Sequence, residues 1–392
     1  MNLSQRVMAL AESATLAVSA KAARMRAEGI DVIGFGAGEP DFDTPKHIKQ
    51  AAYKAIEAGH TGYAKPASGL PAAKRAVCEK LARENDLSYS PEQVIITAGG
   101  KMCLYLAIHA IVNPGDEVII PAPYWVSYPE IVKLAGGVPV FIQGAEENGY
   151  KLAPDILRKA VTDRTKMFCI TSPSNPSGVT YFPDEIRALA DVLKDHELLV
   201  LSDEIYDRLV FDGQTTMSFA AAGDRAYAQT LTLNACSKTY AMTGWRVGYA
   251  AGPADVIKAM SKLQSQSTSG AVTFNQHALV EALTGDQGPV ETMRREFQRR
   301  AVYMYDRLTA LNGVRCPKPT GAFYCFPNVS GTFERLGVSG SSAFADKMLD
   351  EVSVAVVPGV AFGLDRHIRL SFAASMEQIE KGLDRIERFL KS

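Results

Sequence analysis

Short apolar runs alternate with longer amphipathic segments along the first two thirds of the chain. β-Branched, aliphatic and other apolar residues dominate these runs, and charged residues occur only at their first positions, which is typical of strands covered on both faces. The runs are residues 94–97, 117–120, 166–171, 198–201 and 230–233. Between them, apolar residues recur at helical spacing, as in the segment from Lys101 to Val112. This alternation predicts an α/β fold with a mostly parallel central sheet flanked by helices.

Polar residues and a glycine turn stand at or directly after the ends of several of these runs. They are Gly99, Asn175, Asp203 and Lys238. Ligands of parallel sheets bind outside the carboxyl ends of the strands. We therefore expect these residues to lie close together in a binding or catalytic site.

Lys238 and Arg246 stand between two strand-like runs and are framed by small residues. A lysine in such a place has two interpretations. It is either a solvated turn residue, or it is withdrawn from water and becomes a neutral nucleophile toward carbonyl groups. Arg246 keeps its charge in any environment and is suited to hold a phosphate, with a structural ion pair as the alternative.

Two further features suit anions. The turn Gly99-Gly100 joins a strand to a helix, and the free N–H groups at a helix start attract negative charge. Arg369 lies inside the apolar run 367–372, where an unpaired guanidinium is costly. Arg369 therefore has a carboxylate partner either within the protein or on a substrate.

The composition of the chain changes near residue 290. A charged helix is predicted over 291–311, and its arginines are expected to form a solvated face. These arginines are Arg294, Arg295, Arg299 and Arg300. A chain of 392 residues is too long for one compact core. We predict an N-terminal arm over 1–44 that contributes to the small domain, a large domain over 45–290 that holds the site, and a small α+β domain over 291–392.

Charge and cysteine content exclude several classes of function. Forty-two basic and 43 acidic residues give a net charge of -1, so no general attraction to nucleic acid or anionic membranes is expected. The six cysteines lack metal-ligand spacing, which predicts no metal site and a reducing compartment. No apolar run approaches the roughly 18 residues of a membrane span. These features predict a cytoplasmic enzyme.

Several motifs resemble those of class I aminotransferases, which use pyridoxal 5'-phosphate. The lysine-bearing string runs from Ser237 through Met242-Thr243-Gly244-Trp245-Arg246 to Tyr249. The others are Asn175-Pro176-x-Gly178, Asp203-x-x-Tyr206 and Arg369-x-Ser371-x-Ala373. The segments 13–15, 37–45 and 123–129 are most similar to the bacterial aspartate aminotransferase subgroup. The resemblance implies a fold-type I pyridoxal phosphate transferase, with the cofactor in the domain spanning 45–290.

The resemblance also implies roles for individual residues. Lys238 would hold the cofactor covalently and move protons, Asp203 would keep the pyridine nitrogen protonated, and Tyr206 and Asn175 would bind the phenolic oxygen. The further cofactor contacts would be Trp125 on the ring and Gly99, Gly100, Lys101, Ser237 and Arg246 on the phosphate. Tyr63 would reach the phosphate in a neighbouring subunit, so the resemblance implies a homodimer with shared active sites.

For the substrate, the family pattern places Arg369 on the α-carboxylate and Gly38 against it, beside Trp125 and Asn175. Thr15 and Lys101 would face a distal carboxylate. The implied reaction moves the amino group of L-aspartate to 2-oxoglutarate, with small amino and oxo acids as substrates and neither nucleic acid nor membrane as a partner.

Alternatives to this reaction remain open. One is a broader or aromatic and prephenate specificity, although Ala11-Glu12 stands where prephenate-using members carry Lys-Pro. A lyase of the same fold and a non-enzymatic regulator are the other classes, because a fold does not determine a function.

Overall fold

The computed structural model describes residues 2–8, 10 and 14–391, apart from the side chains of residues 14–17 and 19. Its strands are β1 Ile33–Gly34, β2 Val94–Thr97, β3 Glu117–Ala122, β4 Val138–Gln143, β5 Thr165–Thr171, β6 Leu199–Asp203, β7 Thr230–Ala235, β8 Gly248–Ala251, β9 Tyr324–Cys325, β10 Val354–Ala355, β11 Val357–Pro358 and β12 Ile368–Ser371.

Helices account for most of the remaining regular structure. They are α1 Gln5–Met8, α2 Ala14–Ala27, α3 Lys46–Glu57, α4 Pro71–Asn85, α5 Gly100–Ile111, α6 Ser127–Leu134, α7 Pro154–Ala160, α8 Pro183–Leu193, α9 Asp224–Gln229, α10 Cys236–Thr239, α11 Ala254–Ser267, α12 Thr273–Thr284, α13 Gly288–Thr309, α14 Phe333–Leu336, α15 Ser341–Val352 and α16 Met376–Lys391. No helix within the described ranges combines the length and apolar character needed to cross a membrane.

The central sheet has seven strands in the order β2-β8-β7-β6-β5-β3-β4. The pairs from β4 through β3, β5 and β6 to β7 are parallel, and β8 runs antiparallel to both of its neighbours. The predicted α/β fold with a mostly parallel sheet is therefore confirmed. β2 and β7 share one direction because both pair with the reversed strand β8.

Side chains of the central strands alternate between two apolar layers. Leu199 and Leu201 of β6 pack into a cluster with α5, α6 and α11, whereas Val200 packs into a second cluster with α7 and α8. Successive residues of a strand point to opposite faces, so a continuous apolar run supplies both layers. The edge strand β4 is the exception, and its residues are partly or fully exposed.

The C-terminal part of the chain builds two smaller sheets. β1 pairs with β10, and β12 lies between β11 and β9. One core cluster nevertheless joins this part to the rest, because it contains Val77 and Leu279 together with Phe297, Phe344 and Leu383. The boundaries at residues 44 and 290 stay a prediction.

The arginine face predicted over 291–311 is only partly solvated. Helix α13 begins at Gly288 and ends at Thr309. Arg295 and Arg299 are exposed, but Arg300 is buried, with 5% of its surface accessible. The prediction was wrong for Arg300 because charge patterning does not show which turn of a helix faces the core.

Candidate active site

The carboxyl ends of three adjacent parallel strands open onto a cleft of about 760 Å³. β5 ends at Thr171, which stands beside Asp203 at the end of β6. β7 ends at Ala235 and leads directly into α10, which carries Lys238. The cleft is thus the site expected from the strand ends. Of the predicted residues, the following line it: Gly38, Gly100, Lys101, Trp125, Asn175, Asp203, Tyr206, Ser237, Lys238, Arg246 and Arg369.

Lys238 is partly buried, and its ammonium group donates a hydrogen bond to the carbonyl oxygen of Gly38. Burial lowers the pKa of the Lys238 amine to about 8, with Glu39 acting against this shift and Arg369 and Arg246 adding to it. At that pKa roughly a tenth of the amine is neutral at pH 7. Lys238 therefore meets the requirement for a nucleophilic amine.

Asp203 is a buried carboxyl group at the floor of the cleft. Its Oδ2 accepts a hydrogen bond of 2.6 Å from the Tyr128 hydroxyl, and its Oδ1 accepts one of 3.2 Å from the amide of Ile205. Burial raises the pKa of Asp203 to about 6, although both hydrogen bonds and the charge of Lys238 oppose the rise. A cation placed against Asp203 would relieve this cost of burial.

A cradle for an anion lies where three chain segments meet. Arg246 has a left-handed backbone with φ of 53°, and its Nη1 donates a hydrogen bond of 2.8 Å to the carbonyl of Thr243. A Cβ atom at Gly99 would lie 2.4 Å from Arg246 Nη2, so only glycine leaves room for the guanidinium. A Cβ atom at Gly248 would lie 2.6 Å from the backbone nitrogen of Gly100. Gly100 begins α5, whose first N–H groups lack helical acceptors.

Trp125 and Lys101 form one wall of the cleft. The Lys101 ammonium lies 4.9 Å from the centroid of the Trp125 ring, within the range of a cation–π contact. Burial, and then the charge of Arg246, lowers the pKa of Lys101. A positive group and an aromatic ring thus line the same part of the cleft.

Arg369 is buried, with 3% of its surface accessible. Its Nη1 donates to Asn175 Oδ1 at 3.0 Å, and its Nη2 donates to the carbonyl of Gly36 at 2.8 Å. The guanidinium carbon lies 4.6 Å from the Tyr324 ring and 5.0 Å from that of Phe362. Its Nε finds no hydrogen-bond acceptor, and no carboxylate pairs with it, among the described residues.

Burial lowers the pKa of Arg369. A buried guanidinium without a carboxylate is costly, and a ligand carboxylate would offset that cost. The sequence left two alternatives for the partner of Arg369: a carboxylate within the protein or one on a substrate. The described residues supply no internal carboxylate, which favours a carboxylate on the substrate.

Tyr206 and Tyr324 meet at the inner end of the cleft. Their hydroxyl oxygens lie 2.9 Å apart, and both side chains are buried. Burial raises the pKa of Tyr206 well above its ordinary value, so its hydroxyl stays protonated and can donate a hydrogen bond.

Three predicted residues do not line the cleft. Gly99 contacts the guanidinium of Arg246 instead, as the short distance for a Cβ atom at this position shows. Tyr63 is 81% exposed on the surface of the single chain and is not among the residues that line the cleft. Thr15 belongs to α2, and its side chain lies outside the described residues, as do the structures of Ala11 and Glu12.

Sequence reasoning missed Tyr128, Tyr324 and Thr243 as members of the site. Tyr128 is the second residue of α6, and its partner Asp203 lies 75 residues away, so no local sequence signal linked the two. Thr243 donates to Glu39 Oε2 at 2.7 Å, a contact between segments about two hundred residues apart. Among the described residues, no cluster of His, Cys, Asp and Glu side chains could hold a metal ion.

Comparison with known proteins decides the family. Residues 30–386 match the sequence profile of aminotransferase class I and II. The chain belongs to this family. An aspartate aminotransferase of Geobacillus stearothermophilus is 48% identical to it over 392 residues, which is 100% of each chain. The aminotransferase is also 48% identical over 393 residues to an aspartate/prephenate aminotransferase of Cereibacter sphaeroides, covering 99% of this chain and 98% of that one.

Among solved structures, the aminotransferase is similar to the aspartate aminotransferase of Rhizobium meliloti. The two share a TM-score of 0.96 and 41% identity, and the match covers 100% of this chain and 99% of that one. The fold predicted by resemblance, that of a fold-type I transferase, is therefore confirmed, as is the prediction that the chain is an aminotransferase.

Proposed function

We propose that this aminotransferase transfers the amino group of L-aspartate to 2-oxoglutarate, forming oxaloacetate and L-glutamate, with pyridoxal 5'-phosphate as cofactor. One observation carries the proposal: a partly neutral amine, Lys238, and a buried guanidinium without a carboxylate, Arg369, face the same cleft. This arrangement suits a substrate that carries both an amino group and a carboxylate. The relatives named above act on aspartate or on aspartate and prephenate, according to their names.

The residues present fit pyridoxal phosphate. Arg246, the glycine turn before α5 and the buried Ser237 could hold its phosphate, because the missing Cβ at Gly99 leaves room beside the guanidinium. Asp203 could pair with its ring nitrogen, and Trp125 offers a ring face. When bound, the cofactor supplies an aldehyde that joins the amino group and a ring that withdraws electrons from it.

The protein's own groups would bind, orient and move protons. The Lys238 amine can accept a proton from the substrate Cα and return one, since its pKa of about 8 lies close to neutral pH. Asp203 supplies a negative charge at the floor of the cleft, and Asn175 holds the guanidinium of Arg369 in place. Tyr206 can donate its hydroxyl hydrogen to an oxygen in the cleft.

Two positions would select an acidic substrate. Arg369 can hold the α-carboxylate in a bidentate pair, with the backbone of Gly38 against it. Lys101 lies on another wall of the cleft and would meet a second carboxylate. Thr15 is proposed to join Lys101 there, on the strength of the family resemblance alone.

A second copy of the chain is proposed to complete the site. Tyr63, although an aromatic residue, exposes 81% of its surface, which suits a side chain that is covered by a partner. In a homodimer, Tyr63 of each chain would approach the phosphate position of the other. All six cysteines are free thiols, which supports the proposed cytoplasmic location.

A panel of amino donors tests the proposed substrate. The protein, loaded with pyridoxal phosphate, is incubated with 2-oxoglutarate and aspartate, asparagine, phenylalanine or tyrosine, and glutamate is measured. We expect kcat/KM for aspartate to exceed that for the aromatic donors at least about tenfold. Equal or faster transfer from aromatic donors, or to prephenate, would favour the broader specificity instead. Consumption of aspartate without glutamate formation would indicate a lyase.

The covalent attachment site is tested independently. Reduction of the loaded protein with borohydride and mass spectrometry of its peptides should locate the cofactor on Lys238. Modification of another lysine would contradict the assignment, even if the protein transfers amino groups.

A further inference from the structure

Arg300 occupies an unusual place for an arginine in a charged helix. Only 5% of its surface is accessible, whereas 59% of the side chain of its neighbour Arg299 is exposed. Arg300 Nη1 donates to Asp41 Oδ1 at 2.7 Å, and Nε donates to Glu296 Oε1 at 2.9 Å. The Arg300–Asp41 pair joins α13 to a segment 259 residues earlier in the chain.

The same guanidinium also reaches the strand that carries the substrate arginine. Arg300 Nη1 lies 3.4 Å from the carbonyl oxygen of Phe372, three residues after Arg369. Its guanidinium carbon lies 5.1 Å from the ring of Phe42, the residue next to Asp41. Arg300 therefore contacts both the segment around Asp41 and the end of β12.

The segment before Asp41 is rich in glycine and supplies backbone atoms to the cleft. The carbonyl of Gly36 accepts a hydrogen bond from Arg369, and the carbonyl of Gly38 accepts one from Lys238. At the near end, the carbonyl of Phe35 accepts a hydrogen bond of 2.8 Å from the amide of Ser371. Glycine restricts its own backbone little, so the position of residues 36–38 depends on attachments: the hydrogen bonds from Arg369 and Lys238, and the anchors at both ends of the segment.

We propose that Arg300 and Asp41 are positioning residues: their ion pair fixes the far end of the segment 36–41 and so sets the gap between Gly38 and Arg369 that receives a substrate carboxylate. The proposal rests on the proposed function of Arg369. Displacements of about 1 Å in a binding site reduce rates and affinities strongly, which makes a remote attachment effective. Neither Arg300 nor Asp41 lines the cleft, so neither is expected to touch the substrate.

The test compares two adjacent arginines of one helix. Arg300→Met keeps the apolar part of the side chain and removes the pairs with Asp41 and Glu296, while Arg299→Met removes only an exposed pair with the same Glu296 and so controls for its loss. Three quantities are measured on the protein loaded with pyridoxal phosphate: the Kd of succinate, an unreactive dicarboxylate, by calorimetry, and the KM and kcat for aspartate. The affinity of the cofactor-free protein for pyridoxal phosphate is measured as well.

We expect Arg300→Met to raise the Kd of succinate and the KM of aspartate about tenfold, with kcat and cofactor affinity within about twofold of the unaltered protein. Arg299→Met should leave all four values within about twofold. A fall in kcat or in cofactor affinity comparable to the rise in KM would indicate a general structural role and overturn the proposal. Unchanged succinate binding would overturn it equally.

Asp41→Asn supplies a second variant in case Arg300→Met does not fold. It should also raise the Kd of succinate, and the double variant should bind succinate no more weakly than Arg300→Met alone. Additive effects would contradict a shared role. Succinate binding separates this proposal from the reaction itself, since a protein that binds succinate through Arg369 but transfers no amino group from aspartate would refute only the proposed function.

Discussion

Two buried arginines, Arg300 and Arg369, differ in what balances their charge. Arg300 pairs with Asp41 and Glu296, within the protein itself. Arg369 has a carbonyl, an amide oxygen and two aromatic rings around it, and no carboxylate among the described residues. A buried cation without a counterion does not stabilise a fold, so its presence indicates a ligand that brings the missing charge.

The same difference separates two lysines. Lys80 is 2% exposed, forms an ion pair with Asp207, and donates to Asn85 Oδ1 at 2.8 Å. Lys238 has only the carbonyl of Gly38 as a hydrogen-bond acceptor in the described structure. The comparison teaches that burial alone does not mark a functional cation: Lys238 differs from Lys80 in lacking a carboxylate partner among the described residues and in lining the cleft beside Asp203 and Arg369.

The lysine comparison predicts the largest effect. Lys238→Ala should reduce amino transfer by a factor on the order of 10⁴ or more, because it removes the amine that is proposed to bind the cofactor and move the proton. Lys80→Met should leave transfer per folded molecule within a few fold but lower the free energy of unfolding by about 3 kcal/mol, since it strands Asp207. Initial rates of the proteins loaded with pyridoxal phosphate measure amino transfer. Urea unfolding of the cofactor-free proteins measures the free energy of unfolding. If Lys80→Met is folded but transfers amino groups as poorly as Lys238→Ala, the proposed difference between a structural and a functional lysine is wrong.

The arginine comparison predicts the next effect. Arg369→Gln should reduce kcat/KM for aspartate on the order of a hundredfold to a thousandfold, because a buried charge pair with the substrate is lost. The urea midpoint of the cofactor-free protein should stay the same or rise, since a costly unpaired charge is removed. A clear loss of stability would show that Arg369 serves the fold in the way that Arg300 does.

A pH titration sharpens the lysine comparison. Burial lowers the pKa of Lys238 to about 8, so its amine loses its proton at a lower pH than an ordinary lysine, for which the pKa is about 10.4. Acetylation of Lys238 in the cofactor-free protein should therefore accelerate as pH rises through 8 and then level off. Mass spectrometry of the 238 peptide measures this, with exposed Lys54 as the internal reference. A midpoint near 10 for Lys238 would contradict the effect of burial.

The smallest expected effect concerns the floor of the cleft. Tyr128→Phe removes a hydrogen bond to Asp203, so the pKa of Asp203 should rise further above about 6. Because protonated Asp203 carries no charge for the cofactor, the acid limb of the pH dependence of pyridoxal phosphate affinity should move up by about one unit. Thr171→Val is the matched control, since it removes only the Thr171–Tyr128 contact. An equal shift in both variants would show that Tyr128 does not act on Asp203 directly.

The parts of the site that sequence could predict are those fixed by strand ends. Asp203 closes β6 and Lys238 follows β7, and a parallel sheet places such positions at one edge. Tyr128 escaped prediction because its partner Asp203 lies 75 residues away, and only the packing of α6 against the sheet brings them together. Arg300 was placed on the wrong face because its partner Asp41 lies 259 residues away in the sequence.

The glycine at position 248 has a consequence for attempts to alter the preference of this enzyme by directed evolution. Backbone atoms of Gly99 and Gly100 lie so close to Gly248 that any side chain there would displace them. Position 248 therefore does not tolerate substitution of its glycine. Ser127, Val360 and Ala361 also line the cleft and are at least partly exposed, so libraries at these positions are the better means of changing the choice of amino acid.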